Sequence, residues 1–110
     1  SLQHVELVVL TIDKQDDALR AAKLIRAHSP RVTIIARARD LAMCDALQQA
    51  GVSQAFPELL EASLRLAAEA LEALGSSQDD ADLVLREVRD TDYALVRNGP
   101  ENVSSPPEQP

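Results

Sequence analysis

The residues able to do chemistry in this chain fall in two short clusters. The first is Thr11-Ile12-Asp13, with Asp16 and Asp17 just behind it, and the second is Arg37-Ala38-Arg39-Asp40. Three carboxylates at this spacing could hold a divalent cation. At the start of a helix, however, they more simply satisfy free N–H groups and meet the positive end of the helix dipole. Residues two apart point the same way on an extended chain. Arg37 and Arg39 could therefore present two guanidiniums beside a helix N-terminus, which is the chemistry of an anion site. The competing reading is a salt bridge from these arginines to a nearby Asp. Thr11, Asp13, Arg37 and Arg39 are the candidate ligand-binding residues, and no catalytic or metal-ligating residue is assigned.

The remaining reactive side chains point to less. His4 and His28 fall before the first strand-like run and at the end of the first helix, where each reads as a surface residue. Cys44 has apolar helical neighbours and reads as a small buried hydrophobe. A single cysteine allows neither an intramolecular disulfide nor a Cys-based zinc site. There is no Gly-x-Gly-x-x-Gly, no Walker loop, no metal-ligand spacing and no nucleophile elbow. An enzyme is therefore not expected. The net charge of -7 disfavours nucleic acid, which needs clustered cations to displace counterions. An aromatic content of 2% leaves no platform for stacking bases.

These residues are positioned by a β-α-β-α-β alternation. Val5 to Ile12 is short, mostly apolar and rich in β-branched residues, as suits a strand buried on both faces of a parallel sheet. A helix follows on Ala18, Ala21, Ala22 and Ile25 and stops at Ser29-Pro30. Val32 to Ala36 reads as the second strand. Asp40 then suits the N-cap of a helix carrying Met43, Leu47 and Ala50, and Gly51 stands where a C-cap glycine belongs. Val52 to Phe56 is a short third strand. Such an alternation, with short connections, implies a parallel sheet with right-handed crossovers. The fold class is thus α/β, a partial Rossmann-like sheet followed by two helices. The expected divisions are 1–56 for the sheet, 57–75 for a long helix opened by Pro57, 76–97 for a second helix, and 98–110 for a Pro-rich disordered tail.

The long helix has two apolar stripes, read at ~100° per residue. Leu60, Leu64, Ala67, Leu71 and Leu74 form one; Leu59, Ala62, Leu66, Ala70 and Ala73 form the other. Glu58, Glu61, Arg65, Glu69 and Glu72 make a charged third face. A helix lying on a sheet needs only one apolar stripe, so the second requires the following helix or a second copy of the chain. Leu83, Val84, Val88, Leu95 and Val96 also need cover. That total favours a homodimer, with Leu60, Leu64, Ala67, Leu71 and Leu74 as its interface. No apolar run approaches the about 20 residues of a membrane span, so this piece is expected to be soluble.

Four segments together resemble a known family: Val-Val-Leu-Thr-Ile-Asp, Ile-Ile-Ala-Arg-Ala-Arg-Asp, Leu-Gln-Gln-Ala-Gly-Val and Pro-Glu-Leu-Leu-Glu-Ala-Ser-Leu. They look like the C-terminal half of the RCK (TrkA-N, or KTN) regulatory domain of Kef-type monovalent cation:proton antiporters, over roughly Val5 to Val96. The resemblance implies a Rossmann-like domain on the cytoplasmic side of the bacterial inner membrane, attached to a membrane transport domain. It implies binding of NAD(H) or AMP by the complete domain and control of potassium efflux. It makes the helix from Pro57 a crossover helix packed on a partner subunit, and it places Thr11 and Asp13 beside the nucleotide cleft. The first β-α-β unit with its glycine loop is absent here, so tight nucleotide binding by this piece alone is not expected. The glutathione-gated branch has a basic residue before the crossover helix and an Asn in the next helix. Pro57 and Val88 stand at the matching positions, so glutathione gating is not implied. The alternative is a stand-alone flavodoxin-like signalling or protein-interaction domain. A phosphoacceptor version would need a Lys at a strand end, and the only lysines, Lys14 and Lys23, are not so placed.

Overall fold

The computed structural model describes residues 6–98, and the chain divides into two units, residues 1–62 and 63–110. The first unit is built on a parallel sheet of three strands: β1 (Leu7–Leu10), β2 (Thr33–Ala38) and β3 (Gln54–Pro57), side by side in that order. Helices α1 (Gln15–His28) and α2 (Leu41–Gln49) make the two crossovers. The order β1-α1-β2-α2-β3 is the partial Rossmann-like α/β arrangement that the alternation implies.

The core lies on one side of this sheet. Leu10, Ile34, Ala36 and Ala38 are buried against Ala18 and Ala22 of α1 and against Met43, Cys44 and Leu47 of α2. The small alanines let helix and strand backbones approach closely, and Leu47 and Ile34 fill the space between. Cys44 is buried here, as its apolar neighbours indicate. The other side differs from expectation. Leu7 is 50% exposed, Val9 59% and Phe56 42%, so the strands are covered on one face only. The reason is topological: right-handed crossovers that step the same way along a sheet place both helices on the same side.

One buried-edge cation ties this unit together, and the sequence gives little hint of it. Arg26, near the C-terminus of α1, donates from Nε and Nη2 to the Gly51 carbonyl at 3.0 and 2.7 Å. Its Nη1 reaches the carbonyls of Val32 at 2.6 Å and Pro30 at 3.0 Å. It thereby joins the end of α1, the entry to β2 and the turn after α2. Gly51 is required twice at this point. Its φ is +111°, and a Cβ there would meet Arg26 Cγ at 3.0 Å. Ser53 completes the junction, its backbone N–H donating to the Ile34 carbonyl at 2.8 Å and its Oγ accepting from the Ile34 N–H at 3.0 Å.

Three helices end in the same hydrogen-bonded turn. After α2, Gly51 N–H donates to the Gln48 carbonyl and Val52 N–H to Leu47; after α3 (Glu58–Ala73), Gly75 donates to Glu72 and Ser76 to Leu71. After α4 (Gln78–Asp90), Asp92 donates to Arg89 and Tyr93 to Val88. These are Schellman motifs, which satisfy the last carbonyls by turning the chain through the left-handed region. Glycine fills that position at Gly51 and Gly75, with φ +111° and +108°. Asp92 fills it after α4 with φ 54°, and Tyr93 continues at 59°. The second helix expected through Arg97 is consequently broken at Thr91–Tyr93 and resumes at Ala94. Nothing in the residue types signalled the break, because aspartate is not the residue one reads as a stop.

Other boundaries shift for stated reasons. Pro57 is the last residue of β3, paired with Ala38, and the helix begins at Glu58. β3 is an edge strand among the described residues, where a missing N–H costs no ladder bond. Asp40 does cap α2, accepting from the Met43 N–H at 2.8 Å. Asp13 does not cap α1; the N-cap is Lys14, without a side-chain bond. In the second unit a small cluster of Ala68, Ala81 and Leu85 packs with Leu64 and Leu71. The expected tail lies, from Gly99 onward, outside the described residues.

Two measurements of urea unfolding follow. Arg26→Met removes charge-assisted bonds to carbonyls that have no other donor in place, and should cost about 3 kcal/mol, with Arg26→Lys recovering only part. A loss below 0.5 kcal/mol, taken as about the level of an ordinary surface substitution, would contradict the clamp. Asp92→Gly should stabilise the chain by about 0.5 kcal/mol by relieving the left-handed strain, and a destabilised variant would show that Asp92 does more than turn the chain.

Candidate functional site

The carboxyl ends of β1 and β2 bring the four candidate residues to one place. Thr11 and Asp13 follow β1, Arg37 is the penultimate residue of β2, and Arg39 lies just beyond its end. Arg37 belongs to the uncovered face of the sheet, level with Phe56. Its guanidinium is shared three ways. Nη2 donates to Asp13 Oδ1 at 2.8 Å and to the Thr11 carbonyl at 3.0 Å. Nη1 donates to Glu58 Oε2 at 3.4 Å.

Sequence reasoning had left a salt bridge and an anion site as alternatives for the arginine pair. For Arg37 the salt bridge is present, and Asp13, one residue before the N-cap Lys14, turns to it. Arg39 differs. Among the described residues its guanidinium has no carboxylate partner, while its backbone N–H meets Met43 Sδ at 3.4 Å. Glu58 is the site residue that sequence reasoning missed. It was placed on the charged face of the long helix, and only the pairing of β3 beside β2 brings the first residue of α3 to Arg37.

These groups line a depression of about 180 Å³, formed by Asp13, Arg37, Ala38, Arg39, Met43 and Glu58. That is smaller than the ~300 Å³ at which pockets begin to bury small-molecule ligands. By itself it can hold a part of a ligand. Its charges nearly cancel, with two guanidiniums facing two carboxylates, so it is a polar hydrogen-bonding recess and not a strongly positive trap. Among the described residues, no cluster of three or more His, Cys, Asp or Glu side chains is placed to hold a metal ion. The trio of Asp13, Asp16 and Asp17 disperses, Asp13 to Arg37 and Asp17 to Arg20 at 3.3 Å. His28 sits at the end of α1 with Nδ1 2.9 Å from the Leu24 carbonyl, and His4 lies outside the described residues.

Residues 1–58 match the family model of the TrkA-N domain. The chain belongs to the TrkA-N domain family. Within it, the chain is similar to the glutathione-regulated potassium-efflux system protein KefC of Cronobacter sakazakii, 41% identical over 76 residues, which is 69% of this chain and 12% of the relative. The KefC protein of Salmonella arizonae is 38% identical over the same length. Among solved structures, the Kef C-terminal domain of Shewanella denitrificans in its AMP-bound form superposes with a TM-score of 0.71 and 29% identity, over 88% of this chain and 61% of that one. The likeness to the regulatory domain of Kef-type systems, named from four short segments, is borne out. This TrkA-N chain spans about an eighth of the length of the KefC relatives.

The two apolar stripes of α3 divide unlike the expectation. Leu64 and Leu71, placed in the dimer stripe, pack within the second unit against the cluster of Ala68, Ala81 and Leu85. The second stripe is left open, with Leu59 at 66% and Leu66 at 71% exposure; Leu74, of the first stripe, lies beyond the helix end at 84%. Leu60 is half-buried and Ala67 exposed.

Proposed function

We propose that this chain is part of a cytosolic regulatory, nucleotide-sensing domain of a potassium or other monovalent cation:proton antiporter, working as a homodimer and without catalytic activity. The observation that carries this reading is the recess of Asp13, Arg37 and Arg39 at the carboxyl edge of a TrkA-N sheet. In open α/β sheets that edge is where ligands bind. The likeness to an AMP-bound Kef domain over 88% of the chain supports AMP, or the related NAD(H), as the ligand of the complete domain. The small volume of the recess supports a division of labour, in which a glycine-rich β-α-β unit forms the other side of the cleft and this chain contributes contacts, those of Arg37 and Arg39 included, from its own side. The uncovered sheet face supports the same division, because parallel sheets are stable when both faces are covered.

The transport domain of the parent protein is the partner on the membrane side. None of the helices among the described residues is long and apolar enough to cross a membrane. A second copy of the chain would pair through α3. Its interface would centre on Leu59, Leu66 and Leu74 in place of Leu64 and Leu71, which are spent on α4. Nucleotide binding would act by favouring one arrangement of the paired domains, which requires different affinities for the two states. The KefC relatives are named as glutathione-regulated; the family resemblance puts Pro57 and Val88 where the glutathione-gated branch has a basic residue and an Asn, and the proposal does not include glutathione.

The reading is tested on the intact parent protein. Titration calorimetry should detect AMP binding, and Arg39→Ala should weaken it about tenfold, the loss of one charge-assisted contact. An intact protein that binds neither AMP nor NAD(H) would refute nucleotide sensing. In sedimentation, Leu66→Arg should turn a dimer into a monomer while leaving the fold unchanged, since Leu66 is exposed. A variant that stays dimeric would move the interface off this helix.

A further inference from the structure

We infer that Glu58 is a built-in competitor for the ligand: its carboxylate pairs with Arg37, and an anionic ligand group displaces it, so that filling the recess releases the first turn of α3 from the sheet. This rests on the nucleotide-sensing reading and names the contact by which that site would be coupled to the long helix.

The geometry favours Glu58, and not Asp13, as the group that leaves. Nη2 of Arg37 is held by Asp13 Oδ1 at 2.8 Å and by the Thr11 carbonyl at 3.0 Å, so that end of the guanidinium is fixed to the loop after β1. Nη1 has only the longer 3.4 Å contact to Glu58. Both partners of this pair are accessible, with side chains 43% and 50% exposed. Exposed ion pairs of this kind change an equilibrium by no more than about fivefold. A phosphate oxygen on Nη1 makes a stronger charge-assisted bond, and Arg39 stands two residues away with no carboxylate partner to give up.

Glu58 also has somewhere to go. It is the first residue of α3, whose free N–H groups and positive dipole end favour a carboxylate. Leaving Arg37 therefore does not strand its charge. The pair joins the end of β2 to the start of α3 directly. Nη1 carries two N–H groups, so an anion can approach it beside Glu58; two like charges on one nitrogen repel, and the longer contact is the one that gives way.

The test compares AMP with adenosine on the intact parent protein by titration calorimetry. Glu58→Gln removes the competing charge and should tighten AMP two- to fivefold, as for an exposed ion pair of about this strength. Adenosine, which lacks the anion, should bind the variant and the parent equally. Glu72→Gln removes the same charge further along α3 and should leave both affinities unchanged. If AMP binds the parent but Glu58→Gln leaves its affinity unchanged or weakens it, the competition is refuted and nucleotide sensing stands. If Glu58→Gln tightens adenosine as much as AMP, the effect is not exchange for an anion, and the competition is again refuted. If the parent binds neither AMP nor NAD(H), the sensing reading fails first and this inference with it.

Discussion

The first unit depends on a single guanidinium. Short strands of four to six residues, crossed by two helices on one side, leave the chain with exposed carbonyls where α1 ends, where β2 begins and where α2 turns into β3. Backbone polar groups at such junctions need partners. Arg26 supplies them from one planar group with donors aimed in several directions, a geometry that a lysine ammonium on a flexible stem does not reproduce. Gly51 makes room for it. The junction therefore rests on a pair of residues 25 positions apart, and the register of the sheet edge follows from it through Ser53 and Ile34.

A second arginine performs the corresponding task at the other end of the sheet, with a different outcome. Arg26 bonds to backbone carbonyls, which cannot leave. Arg37 bonds mostly to side chains on loops and on the start of α3, which can. The carboxyl edge is thus held by contacts that a ligand can rearrange, whereas the amino edge is held by contacts that it cannot. This difference suits a scaffold that must stay fixed while one helix responds.

The open surfaces of the chain have a common origin. Crossovers of one hand leave one side of the sheet without a helix, and α3 has more apolar surface than α4 can cover. Leu7, Val9 and Phe56 on the sheet, and Leu59 and Leu66 on the helix, are the visible remainder. The share of α3 that goes to α4 decides which of its leucines stay exposed.

Much of the fold was written in the sequence. Short apolar runs rich in β-branched residues, Asp40 before a helical stripe, and Gly51 and Gly75 after one fixed the order of elements, because these are local preferences of backbone and side chain. That the four candidate residues gather at one edge was legible for the same reason: each stands at or just past the carboxyl end of a strand, and strand ends are readable. What the sequence could not determine was partnership. Whether Arg37 met an anion or Asp13, whether Glu58 stood on a solvent face or at the recess, and which leucine stripe α4 would take all depend on residues distant along the chain. The break at Asp92 was hidden as well, since left-handed backbone at an aspartate is tolerated only when the surrounding packing demands it. Local chemistry set the elements and their ends, and only the pairing of strands and helices in three dimensions decided which charges and which apolar faces were left for function, because those are set by what each group finds opposite it.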